Sequence, residues 1–365
     1  MVKDGGASRY NSQWQLGQKG GSPVKTISLD VHADASQVTV VSEEGEVLFE
    51  MKTPTRREEL RSVIGGVAGP KRVVFEEGPL SGSLHDWLED LCEDIVACDP
   101  AHNALIARAE DANDERDARR LAQLSQLGST RRVYIAPEPY RTLRSLQQHD
   151  ERAQRSVVAV KNRIGGLCRR HAIASGRAVY WHAARERVLA ALPNDALRWQ
   201  MESLYRQLDL LRRERVGAHR ILCQWTRKLP VVKRLETLPG VGPITAHTLV
   251  AWICDPNRFT HFSALNSYCG LGLGQGWTNW KPVGRARASR RGNRAVKRVL
   301  FLAATAASRT DSALGRRYQA RLQSGWDHRK AIRDVARALL RCAWCMWKKG
   351  TTYDDRRVAA LAARE

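Results

Sequence analysis

The sequence predicts an α/β domain, then a helical arm, then a basic helical domain, and three observations carry that reading. Apolar residues alternate with polar ones between residues 24 and 50, then recur at helical and heptad spacing in the middle of the chain. The length of 365 residues exceeds one ordinary core and fits two or three domains. The formal net charge of +22 is unevenly placed, with −6 on residues 1–150 and +28 on residues 151–365. Hydrophobic residues at 43% and charged residues at 27% rule out wholesale disorder. The charge asymmetry predicts a polyanionic partner, either nucleic acid or an anionic membrane surface.

Residues 1–22 are polar and rich in Gly, Ser and Gln, so they are expected to be a flexible leader. The α/β domain is assigned to residues 23–135. Ile27, Leu29 and Val31 alternate with Thr26, Ser28 and Asp30, which predicts a half-buried strand. Val38–Val41 and Val47–Phe49 follow across the turn Glu43-Glu44-Gly45, completing an antiparallel meander. Arg56–Ile64 reads as a helix. Two short apolar runs, Val73-Val74-Phe75 and Ile95-Val96-Ala97, bracket helical spacing at Leu84–Leu91. Strands that then alternate with helices define the class.

The arm is assigned to residues 136–228. Val157, Val160, Ile164 and Leu167 follow a heptad seam, as do Leu197, Met201, Leu204, Leu208 and Leu211. Two long helices joined near Gly176 would form an antiparallel coiled-coil arm or a stalk joining protomers; two core helices of a bundle fit the spacing equally well. From Leu229-Pro230 an all-α basic domain runs to residue 350, and residues 351–365 are expected to be a tail.

Several classes are excluded. No stretch of about 20 apolar residues exists. The N-terminus lacks the apolar segment of a secretion signal, which predicts a cytoplasmic, nucleoid-associated protein. The eight cysteines lack paired spacing and are expected to be reduced. Cys342 and Cys345 sit among Leu339, Leu340, Trp344 and Met346, a buried helix rather than a zinc site. The "GLGLGQG" at 270–276 has no βαβ unit around it, and no Walker A sequence is present.

Three constellations carry chemistry. Carboxylates come first: Asp30 on the polar face of the first strand, Glu76 and Glu77 where a strand runs into Gly78-Pro79, and Asp114 with Asp117 on one helix face. Like charges crowded together are costly unless a cation neutralises them, and paired Mg²⁺ ions on such carboxylates activate phosphodiesters. For any one of them a surface acid is the plain alternative. Next is "LPGVGPITAHTLVAWI", residues 238–253, a helix-hairpin-helix pattern in which Gly240 and Gly242 let backbone N–H groups approach a phosphate. A plain helix–helix turn is the alternative there. The last is "VGRARASRRGNRAVKRVL", residues 283–300. Arg285, Arg287, Arg290, Arg291, Arg294, Lys297 and Arg298 fall within fourteen residues without an acid, a pattern for phosphate contact in which Ser289 and Asn293 also count as nucleic-acid-binding positions. Trp277 and Trp280 just upstream are read as buried anchors in preference to base-stacking platforms.

In this order, "SLDVH", "FEEGP", "DERDARRLA", a heptad middle, "LPGVGPITA", "YCGLGLG" and "RASRRGN" resemble the DEDD insertion-sequence transposases of the one-ten family, relatives of the Piv DNA invertase. The resemblance covers roughly residues 24–345. It implies a RuvC-like (RNase H fold) N-terminal domain in which Asp30, Glu76, Asp114 and Asp117 bind two Mg²⁺ or Mn²⁺ ions, Glu77 standing as the alternative to Glu76. It further implies a helical domain with a serine nucleophile, homodimers or homotetramers, and a structured guide (bridge) RNA that pairs with donor and target DNA. The expected Ser-Gly after Gly270-Leu271 is absent. Trp277-Thr278-Asn279 stands in its place, and the nearest serine, Ser289, aligns with a Ser/Thr that precedes the Gly292-Asn293 pair. Thr278 as nucleophile, an inactive site, and a subgroup with different chemistry all remain open. The reading is an RNA-guided DNA transposase or recombinase that works through a covalent protein–DNA intermediate. Its rivals are an inactive nucleic-acid binder and a metal-dependent resolvase or nuclease that uses water.

Overall fold

The meander begins with β1 (Lys25–Val31), β2 (Ala35–Val41) and β3 (Val47–Pro54), followed by α1 (Arg57–Gly66), β4 (Lys71–Glu76), α2 (Ser81–Leu88), β5 (Asp94–Cys98), α3 (Pro100–Ile106) and α4 (Asp114–Gln126). This is a computed structural model, and it describes residues 24–106, 114–173, 176–278, 281–288 and 292–362. The leader proposed for residues 1–22 lies outside the described residues. The chain divides into two compact units, Met1–Pro137 and Glu138–Glu365.

The five strands form one sheet in the order β3-β2-β1-β4-β5. β1 pairs antiparallel with β2 and parallel with β4, and β4 pairs parallel with β5. Ile27, Leu29, Val73 and Phe75 pack on Leu60 and Ile64 of α1 and Leu84 and Leu88 of α2. One expectation fails here. β1 is not half-buried, because Thr26 and Ser28 on its polar face are 2% and 0% exposed. The cause is α4, which lies over that face. Its Leu121 packs on Val74, Val96 and Cys98, and the Ser28 hydroxyl donates to the Ala118 carbonyl at 2.6 Å. A hydroxyl on a doubly covered strand is tolerated because it has this partner.

The second unit is mostly helical. α5 (Tyr140–Arg170) and α7 (Asp195–Thr226) are its long helices, with α6 (His182–Ala190) between them. α8 (Pro230–Leu235), α9 (Pro243–Ile253) and α10 (Phe262–Tyr268) follow. A hairpin of β6 (Leu273–Thr278) and β7 (Lys281–Ala288) precedes α11 (Arg294–Ala307), α12 (Ala313–Gln323), α13 (His328–Lys349) and α14 (Asp355–Ala362). Among the described residues no helix is long and apolar enough to cross a membrane.

The heptad seam closes within the chain: Val157, Val160, Ile164 and Leu167 of α5 share a cluster with Met201, Leu204 and Leu208 of α7, as an antiparallel arm and a pair of core helices both require. Three expectations change in this unit. The two helices do not meet in a turn at Gly176. A longer connection carries a 3₁₀ turn at Arg177–Tyr180 and then α6, whose Val188 joins the same cluster. The domain is not all-α, because Gly276 to Thr278 pairs with Lys281 to Val283 in the hairpin. The alternation of Arg285 and Arg287 with Gly284, Ala286 and Ala288 is a strand period that the density of arginine hides. The last segment is not a loose tail either. Asp355 accepts from the Ala313 backbone N–H at 2.6 Å and pairs with Arg316, fastening α14 to the start of α12.

Candidate functional site

β1 and β4 run side by side and parallel, with Leu29 level with Phe75. Side chains alternate across a sheet, so Ser28 and Asp30 of β1 share a face with Val74 and Glu76 of β4. That is the α4 face. On α4, Ala118, Leu121 and Leu124 are buried, and Asp117 continues their stripe toward the helix N-terminus. Asp30, Glu76 and Asp117 consequently line one cavity of about 770 Å³ at the C-terminal ends of the two strands. Glu77 reaches the same cavity. The fourth acid, Asp114, begins α4, but its side chain lies outside the described residues.

Each acid has a neighbour. Asp30 Oδ2 stands 3.1 Å from His32 Nε2, two residues along the same strand face. Asp117 Oδ1 is 3.7 Å from Arg120 Nη1. Glu76 Oε1 accepts from Asn103 Nδ2 at 2.9 Å, whereas the Glu77 backbone N–H donates to the Cys98 carbonyl at 2.8 Å. Asn103, on α3, is 4% exposed and also lines the cavity, yet among the described residues its Oδ1 has no hydrogen-bond partner. A buried acceptor left open costs about 1–3 kcal/mol unless something binds it.

The donor chemistry fits a hard divalent cation, since every candidate ligand offers oxygen and the orphaned Asn103 Oδ1 adds one more on the cavity wall. Among the described residues no three His, Cys, Asp or Glu side chains form a ready-made metal cluster. Asp30, Glu76 and Asp117 therefore share a cavity without enclosing an ion as they stand. Asn103 and His32 were missed as site residues in the sequence. His32 carried a signal, two residues beyond Asp30 in "SLDVH", while Asn103 carried only its place one turn after the helix start that Asp99 caps.

The basic residues lie in the second unit. Thr278 ends β6 opposite Lys281, and Arg285 and Arg287 lie on β7; their side chains, and all of Ser289, Arg290 and Arg291, lie outside the described residues, as does the Trp277 side chain and all of Trp280. Three of these positions have partners within the protein. The side-chain-free face of Gly240 meets the backbone of α11 rather than open solvent: its φ is +78°, and a Cβ there would collide with the Ala303 carbonyl. Gly242, which caps α9, has open space around it. Asn293 caps α11, its Oδ1 accepting from the Val296 N–H at 3.0 Å, and its own N–H donates to the Tyr268 carbonyl at 2.7 Å. Arg298 is relieved by an acid after all, with Nε 3.3 Å from Glu151 Oε1, a residue far upstream on α5. Arg294 is exposed and Lys297 half-buried. Gly270 and Gly292 touch, since a Cβ on Gly292 would fall 2.6 Å from the Gly270 Cα. Gly270 and Gly292-Asn293 thus pack into one corner at the end of α10.

Cys342 is half-buried and Cys345 exposed on α13, both as free thiols. A second cavity, about 650 Å³, lies against α12, α13 and α14 and is rimmed by Arg337, Arg341, Lys349 and Arg357.

Residues 27–171 match the DEDD transposase family of IS110 elements, and residues 232–319 match the transposase IS116/IS110/IS902 family. An uncharacterized 43.6 kDa protein of insertion element IS110 from Streptomyces coelicolor is 32% identical over 132 residues, 36% of this chain and 32% of that protein. The transposase for insertion sequence element IS1111A from Coxiella burnetii is 23% identical over 319 residues, 84% of each chain. The chain thus spans about a third of the first relative and most of the second.

Proposed function

The chain belongs to the IS110 family of transposases, and on that premise we propose that it cleaves and rejoins DNA strands as a transposase or recombinase. The observation that carries the reading is the convergence of Asp30, Glu76 and Asp117 on one cavity. We read the first unit as RuvC-like, supported by a meander of three strands extended by two parallel ones. Asp30, Glu76, Asp117 and Asp114 are the residues that would hold divalent metal. Such a cation, when bound, polarises a phosphodiester and offsets charge in the transition state.

The chain's own residues do the rest. Asn103 orients Glu76 through the 2.9 Å hydrogen bond. The charge of +28 on residues 151–365 gathers phosphates, and the cations around the second cavity belong to that field. A structured guide RNA is the proposed second polyanion, pairing with donor and target DNA. The Thr278 hydroxyl is the proposed nucleophile: its oxygen bonds to phosphorus, its proton passes to solvent, the bond from phosphorus to a sugar oxygen breaks, and that oxygen takes up a proton. The covalent phosphoester conserves the bond energy for rejoining, so no nucleotide-driven step is required.

The test is recombination of cognate DNA by protein purified with its flanking RNA, in Mg²⁺, with products run on a denaturing gel. Wild type should leave DNA attached to protein and Asp30→Asn should not, while both retain DNA binding. Strand exchange by Asp30→Asn at the wild-type rate would remove the metal-site reading. Cutting by Thr278→Ala at the wild-type rate, with no attached product from either protein, would replace Thr278 by water as nucleophile.

A further inference from the structure

The second cavity lies wholly within the second unit, and no step of the proposed strand chemistry passes through it. Most of its walls come from α13 and the chain that follows, beyond residue 319 where the family match ends. Its floor is apolar. Leu314 and Met346 are buried there, and Ala338 and Val358 are half-buried. Its rim is cationic, with Arg337, Arg341, Lys349 and Arg357 exposed around it. Two carboxylates reach the cavity, and both are engaged. Asp334 is held by Arg317 and Arg321 at 2.7 and 2.9 Å, and Asp354 by Arg357 at 3.4 Å. Among the described residues Arg337 and Lys349 have no acid of their own.

A volume of about 650 Å³ is that of a site for a small organic group. Cations crowded round its mouth repel one another unless an anion is shared among them. The group that fits is therefore apolar within and anionic at the rim. Inorganic phosphate would leave the floor uncovered. A fatty-acid anion carries its charge at one end, whereas these cations are strung out. Along α13, Arg341 stands about 6 Å and Lys349 about 18 Å from Arg337. No single phosphate spans that distance, but successive phosphates of one strand do, and guanidinium forks match phosphate oxygens in pairs. A strand crossing the mouth would set its phosphates on the rim. One base, unstacked from its neighbours, would cover the floor, and apolar contact there offsets the lost stacking.

We propose that this cavity takes one nucleotide extruded from a single strand of nucleic acid, with its base against Ala338, Met346 and Val358 and the flanking phosphates on Arg337 and Lys349. The proposal rests on the reading of the chain as an enzyme of nucleic acid, though not on the acids of the first unit or on Thr278.

The test uses the full chain without metal, so that no strand is cut and the outcome is separate from that of the proposed strand chemistry. The probes are short single strands of DNA and of RNA that carry each of the bases in turn, or an abasic residue, at the centre. Affinity is read by fluorescence anisotropy. Cys345, an exposed free thiol on the cavity wall, gives a second readout through its alkylation, with the exposed Cys223 of α7 as internal control. At least one intact strand should bind about tenfold or more tighter than its abasic counterpart, and it should slow alkylation of Cys345 but not of Cys223. A preference shown by DNA or by RNA supports the site equally and identifies the strand. Ala338→Trp, which fills the floor and leaves the charge alone, should keep its helicity and its abasic binding but lose the preference. Arg337→Glu should weaken intact and abasic strands alike. Equal affinity of wild type for intact and abasic strands, or no protection of Cys345, would overturn the proposal. So would protection of Cys345 by a mononucleotide or by polyglutamate as strong as that given by the strand.

Discussion

Replacing Gly240 by Ala separates two uses of the same glycine. The backbone there has φ +78°, and a Cβ would press on the Ala303 carbonyl and sit 2.7 Å from the Ala307 nitrogen of α11. A non-glycine residue in the left-handed region costs about 1–2 kcal/mol. Forcing an extra carbon into close-packed backbone costs about 1–3 kcal/mol more, for a total of about 2–5 kcal/mol. In a unit of this size each kcal/mol moves the midpoint by about 2–4 °C, so Gly240→Ala should melt on the order of 10 °C lower. Gly242→Ala is the control. Its position has φ −99° and nothing within 4 Å, and losing a glycine cap costs about 1 kcal/mol or less. The assay is thermal and urea unfolding followed by circular dichroism, alongside DNA affinity. Gly240→Ala should lose stability, while Gly242→Ala should keep its stability and weaken DNA binding if a phosphate lies on the α9 N-terminus. Gly240→Ala within about 0.5 kcal/mol of wild type would refute the packing argument.

The other predictions concern coupling and pH. Ser28→Ala removes the 2.6 Å hydrogen bond to Ala118 and should cost about 1 kcal/mol, seen as faster amide exchange along α4. For Asp334, burial works to raise the carboxyl pKa, but hydrogen bonds from Arg317 and Arg321 outweigh it and hold the group below its usual range. Its contribution should be fully present above about pH 4 and fade as pH falls through the folded value, so Asp334→Asn should lower the urea midpoint at pH 7 and flatten the acid limb. Burial, reinforced by the nearby His219, depresses His247 to about 4. Unfolded chains therefore bind the extra proton between about pH 6.5 and 4, stability should fall across that window as pH drops, and His247→Gln should remove that slope.

Much of the α/β unit was legible because its strands are short and bounded by turns. The alternation at Ile27, Leu29 and Val31 located β1, and the spacing of Asp117, Leu121 and Leu124 put Asp117 at the rim of the α4 stripe that covers the sheet. What stayed hidden was long-range. Nothing local to "TISLD" announces that α4 will cover Ser28, and nothing local to Arg298 announces Glu151 more than a hundred residues upstream. The hairpin was masked because arginine, glycine and alanine are weak strand formers, so composition spoke louder than period. Asn293 and Gly240 looked like ligands for the same reason that they are good structural residues. A short polar side chain caps a helix as readily as it meets a phosphate, and a missing side chain admits a neighbouring helix as readily as an anion.

The cavity's geometry follows from the core rather than from the acids themselves. Asp30 and Glu76 share a face only because Leu29 is level with Phe75, and a slip of one residue would turn Glu76 to the other side of the sheet. That register is pinned by burial on both faces, with Phe75 and Leu29 below and Val74 beneath Leu121 above. Asp117 is fixed in turn by the same helix: rotating α4 by one residue would lift Leu121 out of its cluster and part Ala118 from Ser28. Three carboxylates are thus held at one rim by apolar packing and one buried hydroxyl, which leaves their oxygens to the cavity where a cation would be shared.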